Sequence, residues 1–515
     1  MSLSLSSLRH IAGLTDAELH ATGLSDGHPS DTLSGNVSVT AITADSRAVT
    51  PGTLFAAVPG VKADGRAFIA SAVEKGAVAV LAPTGTTWPE NVPERPLVLT
   101  PNPRHALAVM AAALAGPQPE NLVAITGTNG KTSTADFLRQ LWTLQGLKAA
   151  GLGTLGLTGM DLPPITMPAL TTPDPVALAN GLAALARAGV QHVALEASSH
   201  GLEQNRLDGL HLSAAGFTNL TRDHLDYHGT VEAYREAKLK LFADLLPSGR
   251  IAAANADMDC VTLDALRAIA RTRNLTLRTV GEAGETIRLI THTPLPSGQE
   301  LVLDVGGQKH TISLALPGRF QVDNALLAAA LAAPDDAALM QMVDLLPQLQ
   351  GVRGRMERAV VLPNGASAYV DFAHTPDALA RLLASLRPHA LGRLIVVFGA
   401  GGDRDKGKRP LMAQEAARGA DIAIITDDNP RTEDAAAIRA DVKAGAPDAL
   451  EIGGRRAAIA EALAMLDPQD VLVVAGKGHE QGQIIGTEVH PFDDVDVLRT
   501  LAGQSLADAA PAAQA

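Results

Sequence analysis

The run Gly127-Thr128-Asn129-Gly130-Lys131-Thr132-Ser133 holds the residue types that bind a nucleoside triphosphate. Glycines let backbone N–H groups turn toward an anion, and a following helix N-terminus adds partial positive charge. Lys131 then reaches the outer phosphates, and Thr132 offers a hydroxyl to Mg2+. The common pattern G-x-x-x-x-G-K-[ST] requires glycine at position 125, where the chain has Ile125. The tighter G-T-N-G-K-T loop is complete. An apolar strand, Val123–Thr126, precedes it and a helix follows through Leu141, a context that favours ATP binding over a Gly-Lys-Thr surface turn.

Three further groups invite chemistry. His192–Leu195 reads as a strand presenting Glu196, with Ala197-Ser198-Ser199-His200-Gly201 behind it. A carboxylate at that strand end is placed to hold Mg2+ directly or through water, or it is an exposed glutamate beside a turn. Thr221-Arg222-Asp223-His224-Leu225-Asp226-Tyr227-His228-Gly229 is either a polar site or a hydrogen-bonded loop. The next helix, capped by Thr230, carries an apolar stripe of Val231, Tyr234, Leu241 and Phe242. Lys238 falls on that stripe and Lys240 falls off it. Either the Lys238 stem packs while its ammonium reaches water, or the amine is buried and uncharged. A buried, deprotonated lysine can react with CO2 to give a carbamate, turning a cation into an oxygen ligand for a second Mg2+ beside Glu196 and His224.

The elements that must position these groups divide the chain. At roughly 150 residues per domain, 515 residues predict three domains. Gly116-Pro117-Gln118-Pro119 marks the first boundary and Leu346–Gly354 a second. The expected domains are 1–118, 119–348 and 349–503, with a disordered tail over 504–515. From Leu122 to about Gln350 the pattern alternates strand and helix, with a strand-rich insert near Leu275–Leu316. Three β-branched runs near the C-terminus, Leu394–Phe398, Ile422–Thr426 and Val471–Ala475, are separated by helical patterns and predict a parallel sheet. The fold class is therefore α/β throughout.

Composition excludes several function classes. The chain has 42 basic and 55 acidic residues, so a broad surface for nucleic acid or anionic membrane is not expected. Only 3% of residues are aromatic, so cores must be packed from Ala, Leu and Val. The single cysteine, Cys260, excludes an internal disulfide and fits a reducing compartment. No apolar run approaches the roughly 18 residues of a membrane span, and MSLSLSSLRH lacks the features of a secretory signal. The expectation is a cytoplasmic monomer with no nucleic-acid partner and no membrane insertion.

Taken together, G-T-N-G-K-T, the E-x-S-S-H-G-L segment at Glu196–Leu202 and D-H-L-D-Y-H-G at Asp223–Gly229 resemble the Mur ligase family. The likeness runs from Asp45-Ser46-Arg47 to Gly476–Glu480. It implies three domains: a smaller N-terminal α/β domain for a UDP-sugar peptide, a central ATPase with a parallel-rich sheet, and a C-terminal Rossmann-like domain for an incoming amino acid. It implies that Lys238 is the carbamylated lysine, and that Lys131, Lys238, His224 and Glu196 are the catalytic set. Substrates implied by the resemblance are ATP with Mg2+, UDP-N-acetylmuramoyl-L-alanyl-D-glutamate and meso-2,6-diaminopimelate.

Residue roles follow from the same likeness. Ser46, Val61, Lys62 and Ala63 would lie near the uridine diphosphate; Thr171, Thr172, Ser198, Gln204 and Arg206 would hold the muramoyl dipeptide. Asn324 would contact adenine, with Arg355 and Asp371 as further nucleotide contacts. Gln321 and Phe372 depart from the asparagine and tyrosine usual in the family, and Ser133 from threonine. Three C-terminal loops would take the amino acid. Diaminopimelate carries a carboxylate and an ammonium at its far end, and lysine only the ammonium. Arg431 can grip that carboxylate bidentately with help from Arg404, while Glu480 and the Gly476 carbonyl take the ammonium. The Asp428-Asn429-Pro430-Arg431 sequence marks the diaminopimelate enzymes of the family. The resemblance thus implies an amide ligase working through an acyl phosphate. Its rivals are a lysine-adding sibling, a folylpolyglutamate synthetase-like ligase, and a phosphate-loop ATPase that makes no bond.

Overall fold

The computed structural model describes residues 2–14, 19–20, 37–60, 63–168, 170–295 and 298–503. Val61, Lys62 and the tail 504–515 lie outside them. The chain forms two compact units, Met1–Glu285 with Leu327–Pro334, and Thr286–Leu326 with Asp335–Ala515.

The first unit contains two larger sheets beside a short antiparallel pair, Leu3–Ser4 with Ser38–Val39. One runs in the order Leu19–His20, Leu97–Thr100, Ala77–Pro83, Thr53–Ala56, Ala41–Thr43, parallel except at the Leu19–His20 edge. Helix Pro103–Ala115 starts with proline at its first position, and the Asn102 side chain accepts from the His105 N–H. It buries Ala106, Leu107, Met110 and Ala111 in one core with Leu54, Ala56, Ala79 and Leu81 of the sheet. Small side chains let helix and sheet approach closely, as an aromatic-poor composition requires.

The other sheet has the strand order Gly156–Gly159, Ala149–Gly153, His192–Glu196, Asn121–Thr126, Ala214–Phe217, Ile251–Asn255, Thr276–Gly281. All but the first are parallel. Leu122, Val123, Ala124 and Ile125 are fully buried, as expected for a strand covered by helices on both faces. From the central strand Asn121–Thr126 the chain first builds outward on one side, then crosses to the other with Ala214–Phe217. Strand order therefore reverses at this strand, the place where α/β sheets bind ligands. The registers Glu196↔Ile125 and Phe217↔Thr126 bring the loops after three strands to one end.

The second unit opens with an antiparallel meander, Ile287–Leu295, Gly298–Val305 and Gln308–Leu314. Its main sheet runs Glu357–Val361, Ser367–Asp371, Val471–Ala475, Leu394–Phe398, Ile422–Ile425, Leu450–Glu451, parallel beyond the first antiparallel pair. The three C-terminal runs expected to be parallel strands are adjacent in it, so their polar loops emerge side by side.

A buried ion pair braces that end. Arg455 donates through Nε and Nη2 to the two Asp494 oxygens, both at 2.7 Å, and Nη2 also reaches the Ala475 carbonyl at 3.0 Å. Both side chains are fully buried, so removing one leaves an uncompensated charge. Asp494→Ala is expected to lower unfolding stability by about 3–5 kcal/mol, measured by urea titration; a loss within experimental error would show that water or another anion replaces the carboxylate.

Candidate functional site

In the first unit the expected phosphate loop joins strand Asn121–Thr126 to helix Lys131–Leu144, with Gly130 at the N-cap in the left-handed region (φ 86°). The first helical amides have no partner within the helix and face the loop. The next strand's end fixes the loop's shape. Thr128 N donates to Asn219 O at 2.8 Å, Asn129 N donates to Asn219 Oδ1 at 3.1 Å, and Thr218 Oγ1 donates to Asn129 O at 2.6 Å. Gly127 has φ 141°, and a Cβ there would collide with Thr218 Oγ1. Of the expected inward-turned amides, those of Thr128 and Asn129 are bonded to Asn219 instead. The helix-start amides of Lys131, Thr132 and Ser133 are the ones aligned with the dipole.

Glu196 ends its strand almost fully buried, at 3% exposure. Thr132 Oγ1 donates to its Oε1 at 3.0 Å, Thr154 N to the same oxygen at 2.7 Å, and Thr154 Oγ1 to Oε2 at 3.2 Å. The reading of Glu196 as an exposed residue beside a turn is excluded. A Cβ on Gly153 would overlap this carboxylate, so only glycine lets the strands close here. Thr132 and Glu196 thus present adjacent oxygen donors, the set a hard divalent cation takes.

Lys238 lies on helix Val231–Lys240 and is 1% exposed. Its Nζ donates to Gly127 O at 2.8 Å, as does Lys131 Nζ, also at 2.8 Å. Lys131 further donates to Thr128 O. Two lysines on one carbonyl cannot both be protonated cheaply. Burial first, then the Lys131 charge, pull the Lys238 amine well below the ordinary lysine value, with Asp223 opposing. The Tyr234 ring covers the amine at 4.5 Å, and burial pushes the Tyr234 phenol up to about 12. Snorkelling to water is excluded. His224 takes a left-handed conformation (φ 51°) at the start of Leu225–His228, with its ring 6.0 Å from that of Tyr234 and 5.1 Å from that of His200. Among the described residues no three His, Cys, Asp or Glu side chains converge as a ready metal cluster. A metal held by Glu196, His224 and Lys238 therefore requires the carbamate oxygens, since an amine bonded to a carbonyl offers none.

The expected dipeptide-binding residues form one network. Thr172 Oγ1 donates to Glu196 O at 2.9 Å and accepts from Ser198 N at 2.9 Å; Thr154 Oγ1 and Thr171 Oγ1 are 3.1 Å apart. Arg206 donates to Thr172 O at 2.6 Å and to Gln204 Oε1 at 2.9 Å, and Gln204 donates to Tyr227 Oη at 3.2 Å. Ser46 stands apart from this network, its carbonyl accepting from Lys75 Nζ at 2.9 Å. Ala63 is exposed.

The second unit holds the other expected contacts. Gln321 is fully buried; its Nε2 donates to Arg355 O at 3.1 Å and its Oε1 accepts from Asn324 Nδ2 at 3.4 Å. The departure at Gln321 thus links the two residues rather than separating them. Asp371 accepts from Met356 N at 2.7 Å and Ala373 N at 2.8 Å; burial nonetheless raises its carboxyl above the usual range, opposed chiefly by Arg355. The Arg355 guanidinium lies 4.7 Å over the Phe372 ring, so phenylalanine keeps the aromatic face that tyrosine would supply.

The three C-terminal loops for which an amino-acid-binding role is expected contact one another. Arg431, at φ 52°, donates Nη1 to Gly402 O at 2.8 Å, beside Gly401 and Arg404. Its backbone N–H bonds Ile484 O at 3.0 Å, and its carbonyl accepts from Gly486 N at 2.7 Å, so hairpin Gly482–Pro491 holds the loop. Asn429 Nδ2 donates to Glu480 Oε2 at 2.9 Å. Asp428 faces Gly476, where an added Cβ would come within 2.7 Å of its Oδ2. Pro430 places its carbonyl against Gly402. Lys408, half-buried, donates to His374 O at 2.8 Å, and its amine is lowered by burial. Sequence reasoning did not single out Thr154 or Gly153, and it gave no individual role to Asn219, Tyr227, Lys408 or Lys477. Thr154, Gly153 and Asn219 meet their partners from neighbouring strand ends, which only the strand order reveals.

This fold and site have known counterparts. Residues 38–115 match the Mur ligase family, catalytic domain, residues 125–332 the Mur ligase middle domain, and residues 354–478 the Mur ligase, glutamate ligase domain. The chain belongs to the Mur ligase family, whose chemistry is ATP-dependent amide ligation. It is 53% identical over 472 residues to the UDP-N-acetylmuramoyl-L-alanyl-D-glutamate–2,6-diaminopimelate ligase of Caulobacter vibrioides, covering 90% of this chain and 96% of that one. The ligase of the same description from Agrobacterium fabrum is 48% identical, covering 96% and 98%. A solved structure of a UDP-N-acetylmuramoyl-L-alanyl-D-glutamate–2,6-diaminopimelate ligase superposes with a TM-score of 0.70 at 33% identity, over 98% of this chain and 99% of that one. No helix among the described residues is long and apolar enough to cross a membrane.

The Gly153–Glu196 contact is open to test. Gly153→Ala is expected to lower ATP-dependent turnover by at least about tenfold, because the displaced carboxylate no longer meets Thr132. Phosphate release measures it, and unchanged turnover would show that Glu196 works from another position.

Proposed function

We propose that the chain joins meso-2,6-diaminopimelate to UDP-N-acetylmuramoyl-L-alanyl-D-glutamate, cleaving ATP to ADP and phosphate, as a cytoplasmic monomer in peptidoglycan synthesis. Three domains with boundaries near 118 and 348 divide the work. The observation that carries the reading is the presence on adjoining loops of the Arg431 guanidinium, bonded to Gly402 O beside Arg404, and of the Glu480 carboxylate, bonded to Asn429. That combination answers a far end bearing both a carboxylate and an ammonium. A lysine substrate would leave the guanidinium desolvated and unmatched. The high-identity relatives carry the diaminopimelate ligase description, which supports the same choice.

Lys131 and the helix-start amides neutralise the γ-phosphate, so the D-glutamate γ-carboxylate attacks phosphorus and ADP leaves. Arg206 and the Thr172 network hold the dipeptide for that attack. The diaminopimelate amine then adds to the acyl phosphate carbonyl and loses its proton, and the tetrahedral intermediate expels phosphate to leave the amide. Thr132 and Glu196, and at a second position Glu196, His224 and carbamylated Lys238, would hold Mg2+, which would supply positive charge to offset anion–anion repulsion. Lys238 is suited to the modification because burial favours the neutral form of its amine: the lone pair attacks CO2, and the N–H proton departs to leave the carbamate.

Product mass, with the UDP-muramoyl dipeptide, ATP and either diaminopimelate or lysine, tests the reaction. The expected result is the diaminopimelate tripeptide plus ADP; ATP hydrolysis independent of any amine would overturn the ligase assignment. Arg431→Ala is expected to raise the KM for diaminopimelate about tenfold or more, with the KM for ATP held within about twofold. An equal rise for ATP would remove Arg431 from the amine site. Lys238→Ala is expected to abolish turnover with little change in thermal midpoint, and near-normal activity would sink the carbamate role.

A further inference from the structure

Lys477 is fully buried beneath the amino-acid loops, and its ammonium has three acceptors: Asn429 Oδ1 at 3.0 Å, Glu480 Oε2 at 3.3 Å and Gly482 O at 2.5 Å. An ammonium has three donors and accepts nothing, so the set is saturated. Each acceptor belongs to a different piece of the site. Asn429 sits in the Asp428–Arg431 loop, Glu480 follows the last strand, and Gly482 opens the hairpin that grips the Arg431 backbone.

The bonds also determine orientation. Asn429 Oδ1 accepts from both Lys477 Nζ and Ile484 N (2.9 Å), which leaves its amide Nδ2 to donate to Glu480. Glu480 Oε2 therefore receives two donors, one of them charged. Glu480 Oε1 has no protein donor among the described residues, and the side chain is 38% exposed. One carboxylate oxygen is held and the other is presented.

We propose that Lys477 is a positioning and specificity residue: it locks Asn429 and Glu480 together and makes the pocket reject an amine whose far end is a bare cation. The proposal rests on the diaminopimelate reading above. Lys477 is paired to Glu480, while the Arg431 guanidinium, with Arg404 beside it, meets only a neutral carbonyl, so the site favours a far end that brings its own carboxylate. A bare ammonium meets a carboxylate already half neutralised and two guanidiniums it cannot pair. Discrimination then comes from the unfavourable term for the wrong ligand as much as from contacts to the right one.

The test compares the full-length wild type with Lys477→Met and Lys477→Gln, using meso-diaminopimelate and L-lysine at saturating ATP and dipeptide. Lys477→Met removes donors and charge, and Lys477→Gln keeps a donor without charge. In Lys477→Met the KM for diaminopimelate is expected to rise about tenfold or more, and the diaminopimelate-to-lysine ratio of kcat/KM to fall by a similar factor, with the KM for ATP unchanged. Lys477→Gln is expected to recover part of the KM while the ratio stays low, and it carries the test if the methionine variant fails to fold. A wild type that prefers diaminopimelate, with variants that keep the same preference, overturns the role of Lys477 alone. A wild type that uses neither amine overturns the diaminopimelate reading, and this inference with it.

Discussion

The Gly127 carbonyl oxygen receives both the Lys131 and the Lys238 side chains, and the chemistry of the first unit depends on that shared contact. Lys131 stays partly open to solvent, at the start of the helix that follows the phosphate loop. Lys238, sealed by Tyr234 and by its own helix, is the partner driven to give up its proton. One backbone atom thereby assigns opposite roles to two side chains of the same type. The carbonyl can do this because Gly127 and Asn219 fix its direction, and Asn219 is held in turn by strand pairing.

The amino-acid loops of the second unit use the same economy of means. A buried cation, Lys477, satisfies three acceptors from three segments, and a buried pair, Arg455 with Asp494, braces the strand end beneath them. Buried charges of this kind contribute little net stability when their desolvation is counted. Their effect is on geometry: side chains that cannot relax into water hold the loops in one arrangement, as a site discriminating between similar amines requires.

Local features of this site were legible in the sequence. The phosphate loop, the strand presenting Glu196, the apolar stripe carrying Lys238 and the three C-terminal strands follow from periodicity and turn chemistry within a dozen residues or so. The Mur ligase likeness extended this to roles no spacing reveals, such as Asn324 with Arg355. The contacts of Thr154, Gly153 and Asn219 were not legible, for a common reason. Thr154 meets Glu196 from 42 residues away and Asn219 meets Asn129 from 90. Such contacts depend on which strands are neighbours, and local pattern does not encode neighbour order. Gly153 shows this well: within Gly151-Leu152-Gly153-Thr154 it has the look of a flexible turn, and its real constraint is a carboxylate on the next strand.

The reversal of strand order at Asn121–Thr126 bears on how the protein is made. The phosphate loop emerges from the ribosome early, but the residue that shapes it, Asn219, follows 90 residues later. Until Ala214–Phe217 pairs alongside, the loop lacks its clamp. Closing so long a segment carries an entropic cost before any contact rewards it. A growing chain that ends short of that strand therefore displays the G-T-N-G-K-T sequence without the cradle. The nucleotide cradle is thus completed by the arrival of Ala214–Phe217 and Asn219, not by the synthesis of the phosphate loop itself.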